Sequence, residues 1–334
     1  MSQTILTEVR EASKSSAVGG GKEFTVIPTG PVIGAEVLGI DLKNPLDTAT
    51  IAGLRQALLQ HKVLFFRNQP ITDAEQVRFS RYFGQVTPAH PIKNGLVEQP
   101  EVMENIKSLK ALRQNILSDV EQQQLRANGR HFRSRGWHTD ITFVANPTSI
   151  SFLRGIEIPE FGGDTAWVDL EALYNSLSDT LRGFLDGLSA VHGRDDARIG
   201  FPLPPRRDGR YNGAFLAEHP LVRIHPETGR RSLFLSPGFI RYIPALRQGE
   251  SDTLLSFLIE ELAGRIDLQA RFHWTPHSLA VWDNRATAHW GPVDDPYFSN
   301  ERIVHRTTVD PDVAHGPGGF QSRQILGEPF YAHH

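Results

Sequence analysis

The stretch "GWHTDITF" (136–143) places His138 and Asp140 two residues apart within apolar, β-branched and aromatic surroundings. Read as a strand, it alternates its side chains, so His138 and Asp140 share one face and Thr139 points to the other. An imidazole and a carboxylate then converge on one point in space. A competent metal site needs a third ligand.

Most of the 14 histidines fall in Pro/Gly loops or at the C-terminal end, as do His225, His315, His333 and His334. His289 is the better candidate, because "LAVWDNRATAHWGP" reads as a buried strand, then an Asn-Arg turn, then one histidine beside an aromatic. Two histidines and one carboxylate on a β scaffold form the facial arrangement of non-haem Fe(II) sites, which leaves coordination positions open. Zinc held by the same three residues is the alternative. The chain has no cysteine, which excludes disulfides, thiolate metal sites and a thiol nucleophile.

Working outward, "RIVHRTTV" (302–309) carries Arg302 and Arg306 four residues apart. On an extended strand both face one side, with Val304 between them. Two guanidiniums on one strand face are costly to bury unless each meets an anion, and Arg suits bidentate recognition of carboxylate or sulfonate.

Short strand candidates recur between turn residues: "GAEVLGIDL", "VLFFRNQ", "SISFLRG", "DTAWVDL", "LVRIHP", "SLFLS" and "SLAVWDN". Helical spacing marks 46–62. Thr72 and Glu75 have capping-box spacing at the head of a helix that Gly84 is placed to stop. Further helices are expected at about 169–177, 178–188 and 251–263, the last with a stripe of Leu254, Leu258 and Leu262. The pattern favours a mainly β fold with α decoration, a sandwich or barrel.

A chain of 334 residues with no mid-chain shift in composition reads as one domain. Residues 1–22 form a Ser/Gly-containing tail expected to be mobile, and 23–334 form the domain. Two segments stand out as lid candidates. In 105–136, Lys107, Lys110, Arg113, Arg126, Arg130, Arg133 and Arg135 face only Asp119 and Glu121, and 200–213 is a long Pro/Gly/Arg loop. A formal net charge of −3 gives no footprint for nucleic acid or membrane, so the expected partner is a small molecule. With no signal-peptide core and no membrane span, a cytoplasmic location is expected.

The sequence resembles the taurine dioxygenase and aryloxyacetate dioxygenase family of Fe(II)/2-oxoglutarate oxygenases. Four ordered motifs carry the likeness: "WHTDITF" (137–143), "GGDT" (162–165), "VWDNRATAHW" (281–290) and "RIVHRTTV" (302–309). The steps of 27 residues from His138 to Thr165 and 13 from His289 to Arg302 are in keeping with it. The resemblance, from about residue 24 to 310, implies a double-stranded β-helix (jelly-roll) core in which His138, Asp140 and His289 hold iron. It implies 2-oxoglutarate as co-substrate beside O2, with its distal carboxylate on Arg302 and Thr165.

Arg306 falls on the position that binds the anionic group of sulfonate and sulfate-ester substrates, and His90 on another substrate-contacting position. Where taurine-specific members have a tyrosine and an amide, this chain has Lys93 and Ser134. Lys93 is therefore either a second cation or a residue that simply points to solvent, and Ile141 and Phe239 are candidate wall residues. Trp137, Trp282 and Trp290 are read as packing first, and His192, His219 and His305 as core or supporting histidines. The implied reaction is oxidative decarboxylation of 2-oxoglutarate to succinate and CO2, coupled to oxidation of a C–H bond of a small organic anion. A sulfonate or sulfate ester is favoured over an aryloxy acid or an amino-acid-like intermediate. A carboxylate at Asp140 argues against a halogenase, in which that ligand gives way to chloride. The resemblance further implies a homo-oligomer, dimer or tetramer. A cupin-like binding protein and a zinc hydrolase are the competing readings; Arg302 with Thr165 speaks against the first, and the lack of a Glu near either ligand motif against the second.

Overall fold

The structure is a computed structural model that describes residues 24–107, 136–194, 209, 213–291, 298 and 300–330, with the backbone of Ser15–Ser16. Its strands are β1 (Ser15–Ser16), β2 (Thr25–Pro28), β3 (Ala35–Leu38), β4 (Val63–Phe66), β5 (Met103–Lys107), β6 (Thr148–Glu157), β7 (Thr165–Asp169), β8 (Ser189–Arg194) and β9 (Phe215–Pro220). There follow β10 (Val222–Ile224), β11 (Arg231–Leu233), β12 (Ile240–Tyr242), β13 (Gln269–Phe272), β14 (Leu279–Asp283), β15 (Thr287–Trp290), β16 (Arg302–Pro311) and β17 (Arg323–Leu326). The helices are α1 (Thr48–His61), α2 (Asp73–Arg81), α3 (Leu170–Ser176), α4 (Asp179–Leu185) and α5 (Gln248–Gly264).

A large sheet runs β1-β2-β3-β4-β14-β6-β16-β5 and faces a small one, β13-β7-β15. Rings interlock between them: Phe65 of β4 lies 5.5 Å from Trp167 of β7 and 4.4 Å from Phe272 of β13, and Trp282 of β14 lies 5.6 Å from Trp167. The outer face of the large sheet is covered by α1 and α2, whose Leu54, Leu58, Val77 and Phe79 pack with Leu64, Phe66, Phe152 and Val281. Strands buried on both faces read as unbroken apolar runs, which is why "VLFF" and "LAVW" show no alternation. Burying each such side chain contributes about 1.5–3 kcal/mol.

The fold is the expected mainly β, helix-decorated jelly roll. The capping box of α2 forms as its spacing requires, Glu75 N donating to Thr72 Oγ1 (3.2 Å) and Thr72 N to Glu75 Oε2 (2.7 Å). The buried face of α5 is Ser251, Leu255, Leu258 and Leu262, with Leu254 only half-buried, so the expected stripe is rotated slightly. A further sheet, β12-β8-β9-β17, was not expected from the pattern.

One expectation is corrected. "WHTDITF" is not a strand: His138 makes a single bridge to His289, and the chain then turns, with Ile141 at φ +49° and Val144 N donating to Ile141 O (3.1 Å). The intervening donors are taken by side chains instead of a neighbouring strand, Thr139 N by Ser236 Oγ (3.0 Å) and Asp140 N by Asn284 Oδ1 (3.4 Å). Residues 108–135 of the first lid candidate, 200–208 and 210–212 of the second, and the tail apart from Ser15–Ser16 lie outside the described residues.

Candidate metal centre

The small sheet supplies His289 on β15, and His138 bridges to it from the neighbouring turn segment. His138 N donates to His289 O (2.9 Å) and His289 N to His138 O (2.8 Å), an antiparallel pair whose side chains leave on one side. The rings stand 4.2 Å apart between centroids. His138 Nδ1 lies 2.9 Å from Gly136 O, which places the proton on Nδ1 and leaves Nε2 as a lone-pair donor. A side chain at position 136 would meet Trp290 Nε1 at 2.2 Å, so only glycine permits this approach.

Asp140 arrives from the turn and is buried. Its Oδ1 lies 3.9 Å from His289 Nε2, and the ligand atoms of His138, Asp140 and His289 all fall within 4.8 Å of one another. Burial alone would raise the Asp140 pKa, but the Arg306 guanidinium, helped by the two histidines and the Ser151 hydroxyl, holds it down at about 2. Burial, with His138 beside it, pushes His289 down to about 3. At neutral pH the trio therefore presents an ionised carboxylate and a neutral His289 imidazole, the protonation states in which these groups ligate. Ligand atoms this close could be drawn together onto one ion. A His/His/Asp set fits Fe(II).

The large sheet supplies the cations. On β16, Arg302, Val304 and Arg306 turn inward, while His305 and Thr307 turn out towards α2. Arg306 Nη1 donates to Asp140 Oδ1 (2.5 Å), Nη2 lies 3.7 Å from Met103 Sδ, and Nε makes no hydrogen bond among the described residues. Arg302 Nε donates to Gly163 O (2.9 Å) and its guanidinium lies 5.7 Å from the Trp274 ring centre. Gly163 has φ +68°, and a side chain there would meet Arg302 Cδ at 2.8 Å, so the "GGDT" glycine makes room for the arginine. Thr165 shares the face of Trp167, which pairs with His289. Its Oγ1 accepts from Trp274 Nε1 (3.0 Å), which leaves the Thr165 proton for a second acceptor. Thr165 and Arg302 are thus linked through Trp274.

The other candidates form the rim. His90, Phe143, Phe239 and His138 make a chain of ring contacts at 6.0, 5.1 and 6.1 Å. Ile141 is buried with Phe143, Ile92 and Phe215, against which Phe239 packs. Lys93 is at the surface, and Ser134 lies outside the described residues. Trp282 packs against His289 (4.8 Å), and Trp137 against Trp290 (5.9 Å). His192 and His219 are fully buried, and both touch Thr142, at Oγ1 (2.9 Å) and O (2.7 Å). Three contributors went unread in the sequence: Ser151, whose hydroxyl donates to Asp140 Oδ2 (2.7 Å), Asn284, and Trp274. A signal existed for Ser151, since a serine at an inward position of an apolar strand invites a polar partner.

The architecture and the site define a class. The family model "Taurine catabolism dioxygenase TauD, TfdA family" matches residues 25–308. The chain is 36% identical to an alkylsulfatase of Acinetobacter baylyi over 303 residues, which cover 88% of this chain and 87% of that one. It is 34% identical to an alpha-ketoglutarate-dependent sulfate ester dioxygenase of Pseudomonas putida, covering 90% and 94%. Among solved structures, a taurine dioxygenase from Burkholderia xenovorans is similar at a TM-score of 0.75 and 39% identity, over 91% of this chain and 97% of that one. The chain belongs to the TauD/TfdA family. It is an Fe(II)- and 2-oxoglutarate-dependent oxygenase, and no helix among the described residues is long and apolar enough to cross a membrane.

Proposed function

We propose that the enzyme oxidises a C–H bond next to the sulfate ester or sulfonate group of a small organic anion, releasing succinate and CO2 from 2-oxoglutarate. His138, Asp140 and His289 would hold Fe(II). When bound, the iron supplies the activation of O2 that turns 2-oxoglutarate decarboxylation into an oxidant for the substrate. The residues of the chain do the rest by holding and excluding. Arg302 and Thr165 take the distal carboxylate of 2-oxoglutarate, a buried dicarboxylate needing a fixed cation at its far end. Ile141, Phe143 and Phe239 keep water from the reacting carbon.

The observation that carries the substrate reading is Arg306, a buried guanidinium that pairs with Asp140 through Nη1 and whose Nε has no hydrogen-bond partner among the described residues. It is separate from the Arg302 and Thr165 pair, and its Nε remains as a donor that a substrate anion would take. His90 and Lys93 belong to the same proposal as substrate contacts, the latter only for a substrate long enough to reach the surface. Oxidation at the carbon bearing a sulfate-ester oxygen gives an adduct that collapses to an aldehyde and sulfate. The alkylsulfatase and sulfate ester dioxygenase relatives support that class. Cytoplasmic location and a homo-oligomer of two or four chains complete the proposal, to be tested by cell fractionation and light scattering.

The experiment is succinate release by the Fe(II)-loaded enzyme with alkyl sulfates, alkyl sulfonates and aryloxy acids, each with analysis of the released group. Stimulation by a sulfate ester or sulfonate, with stoichiometric sulfate or sulfite, is the expected result. Stimulation by aryloxy acids alone would move the substrate to the carboxylate class, and none by any anion would end the reading.

A further inference from the structure

The two oxygens of Asp140 have different surroundings. Oδ1 faces His289 and Arg306, whereas Oδ2 turns to β6 and accepts from Ser151 Oγ at 2.7 Å. Ser151 in turn accepts from Asn284 Nδ2 (2.8 Å), and Asn284 Oδ1 accepts from Trp282 Nε1 (3.0 Å) and from Asp140 N (3.4 Å). Every side chain in the series is buried, Ser151 at 0%, Trp282 at 1% and Asn284 at 2% exposure.

The direction of the series is fixed by donor chemistry. An indole N–H can only donate, so the Asn284 atom facing it must be oxygen, and the amide nitrogen must face Ser151. With its lone pair so engaged, the Ser151 hydroxyl directs its proton to the carboxylate. Each link leaves one orientation to the next. The ladder pairing explains why the residues meet: Ser151 lies opposite Trp282 in β6–β14 and opposite Thr308 in β6–β16, so it shares the inner face with both Trp282 and Arg306. The Trp282 ring also packs on the His289 imidazole at 4.8 Å.

We infer that Trp282, Asn284 and Ser151 form a positioning chain that ties down Asp140 Oδ2 and thereby holds Oδ1 towards His289, where the metal would be held, with Trp282 orienting two of the three ligands at once. None of the three touches substrate or metal; they act through Asp140 and His289. The inference rests on the metal-centre reading proposed above. Partners of this kind typically set 10–100-fold in metal affinity, because a carboxylate left to rotate must be ordered again when the ion binds.

The test titrates the metal-free full chain with Mn(II), followed by the loss of its free-ion electron paramagnetic resonance signal, and with Co(II), followed by its visible absorption bands. Ser151→Ala is expected to weaken Mn(II) binding about 10–100-fold and to shift the Co(II) bands. Trp282→Phe, which keeps a ring against His289 but loses the N–H, should change both in the same direction. The Ser151→Ala/Asn284→Ala double variant should bind no more weakly than the weaker single, since residues in one network fail to add. Ser151→Ala removes one hydroxyl and reads the chain even where Asn284→Ala folds poorly. Ser149→Ala is the control: the same strand, also buried, its hydroxyl given to Val309 O (3.1 Å). It should melt lower but bind both ions as the wild type does. Wild-type affinity and bands in Ser151→Ala, or strictly additive losses in the double variant, would overturn the positioning chain alone. A wild-type protein that binds neither ion would overturn the metal-centre reading and the chain with it.

Discussion

Asp140 and Asp283 are both fully buried aspartates at the two ends of one hydrogen-bonded region, and they differ in what is left over. Asp283 Oδ1 accepts from Arg285 N (2.9 Å) and Nε (2.8 Å), and Oδ2 from Arg285 Nη2 (2.6 Å) and His225 Nε2 (3.0 Å). Arg285 continues to Glu227 (2.7 Å), and Glu227 to Arg55 (2.6 Å). That network is closed and locks the β14–β15 turn. Burial opposes ionisation at both carboxylates, and a neighbouring guanidinium reverses it at both, taking Asp283 well below the usual carboxylate range. Around Asp140, by contrast, the Nδ1 of His289 and the Nε of Arg306 have no hydrogen-bond partner among the described residues. Burial and a low pKa are common to both; what marks the site is that Asp140 shares it with two imidazoles, the three ligand atoms lying within 4.8 Å of one another.

The sharpest way to break this comparison is to neutralise each aspartate. Asp140→Asn is expected to lose Fe(II) binding and essentially all succinate formation, and to melt lower as well, because Arg306 is left buried without its carboxylate partner. Asp283→Asn should keep iron binding but lose on the order of 3–5 kcal/mol of stability, the cost of breaking a buried pair. Calorimetry and metal analysis on both variants decide it, and the contrast fails if Asp283→Asn loses iron or Asp140→Asn keeps it.

The two arginines of β16 offer the next contrast. Arg306→Ala should lower kcat/KM for the anionic substrate about 10²–10³-fold, as expected for truncating a buried, charge-paired group, with little change in KM for 2-oxoglutarate. Arg302→Ala should do the reverse, raising KM for 2-oxoglutarate about 10²-fold. Steady-state kinetics with each reactant varied in turn would show equal effects if one arginine served both acids.

A smaller effect belongs to the outer face of β16. His305 Nδ1 lies 2.6 Å from Asp73 Oδ1 and Nε2 3.2 Å from Glu104 Oε2, with Arg154 also on Asp73. Although burial opposes it, the hydrogen bond and charge of Asp73 raise the His305 pKa above its ordinary 6.5, while the His305 hydrogen bond lowers that of Asp73 below 3.8. A raised histidine pKa contributes stability that is complete below 6.5 and lost as pH rises through the folded-state value; the lowered Asp73 contributes above 3.8 and is lost as pH falls through its own. His305→Gln should therefore melt about 2–4 °C below the wild type near pH 6, with the gap closing at alkaline pH. A gap that does not change with pH would assign His305 a packing role.

The three clustered ligands and both arginines stood out in the sequence because each is a chemically unusual residue in an apolar context, whereas Thr165 was singled out only by the family resemblance. The strand assigned to 136–143 was the misreading: apolar and β-branched composition cannot reveal that side chains of Ser236 and Asn284 satisfy the backbone there, or that Ile141 turns the chain. The β8–β9 sheet was missed because "SAVHGR" and "FLAEHP" break the apolar pattern with polar residues, His192, Glu218 and His219, that are all buried. Asn284 was visible in "VWDNRATAHW" but read as a turn residue, since its partner Ser151 lies 133 positions away. Long-range hydrogen bonds of that kind leave no local pattern.

The most direct test is anaerobic titration of the Fe(II)-loaded protein with 2-oxoglutarate, followed by the weak visible charge-transfer band of the chelate. The account expects a band in the wild type and in Asp283→Asn, and none in Asp140→Asn or His138→Ala. Iron bound by the wild type without a band, or a band that survives the loss of Asp140, would contradict it.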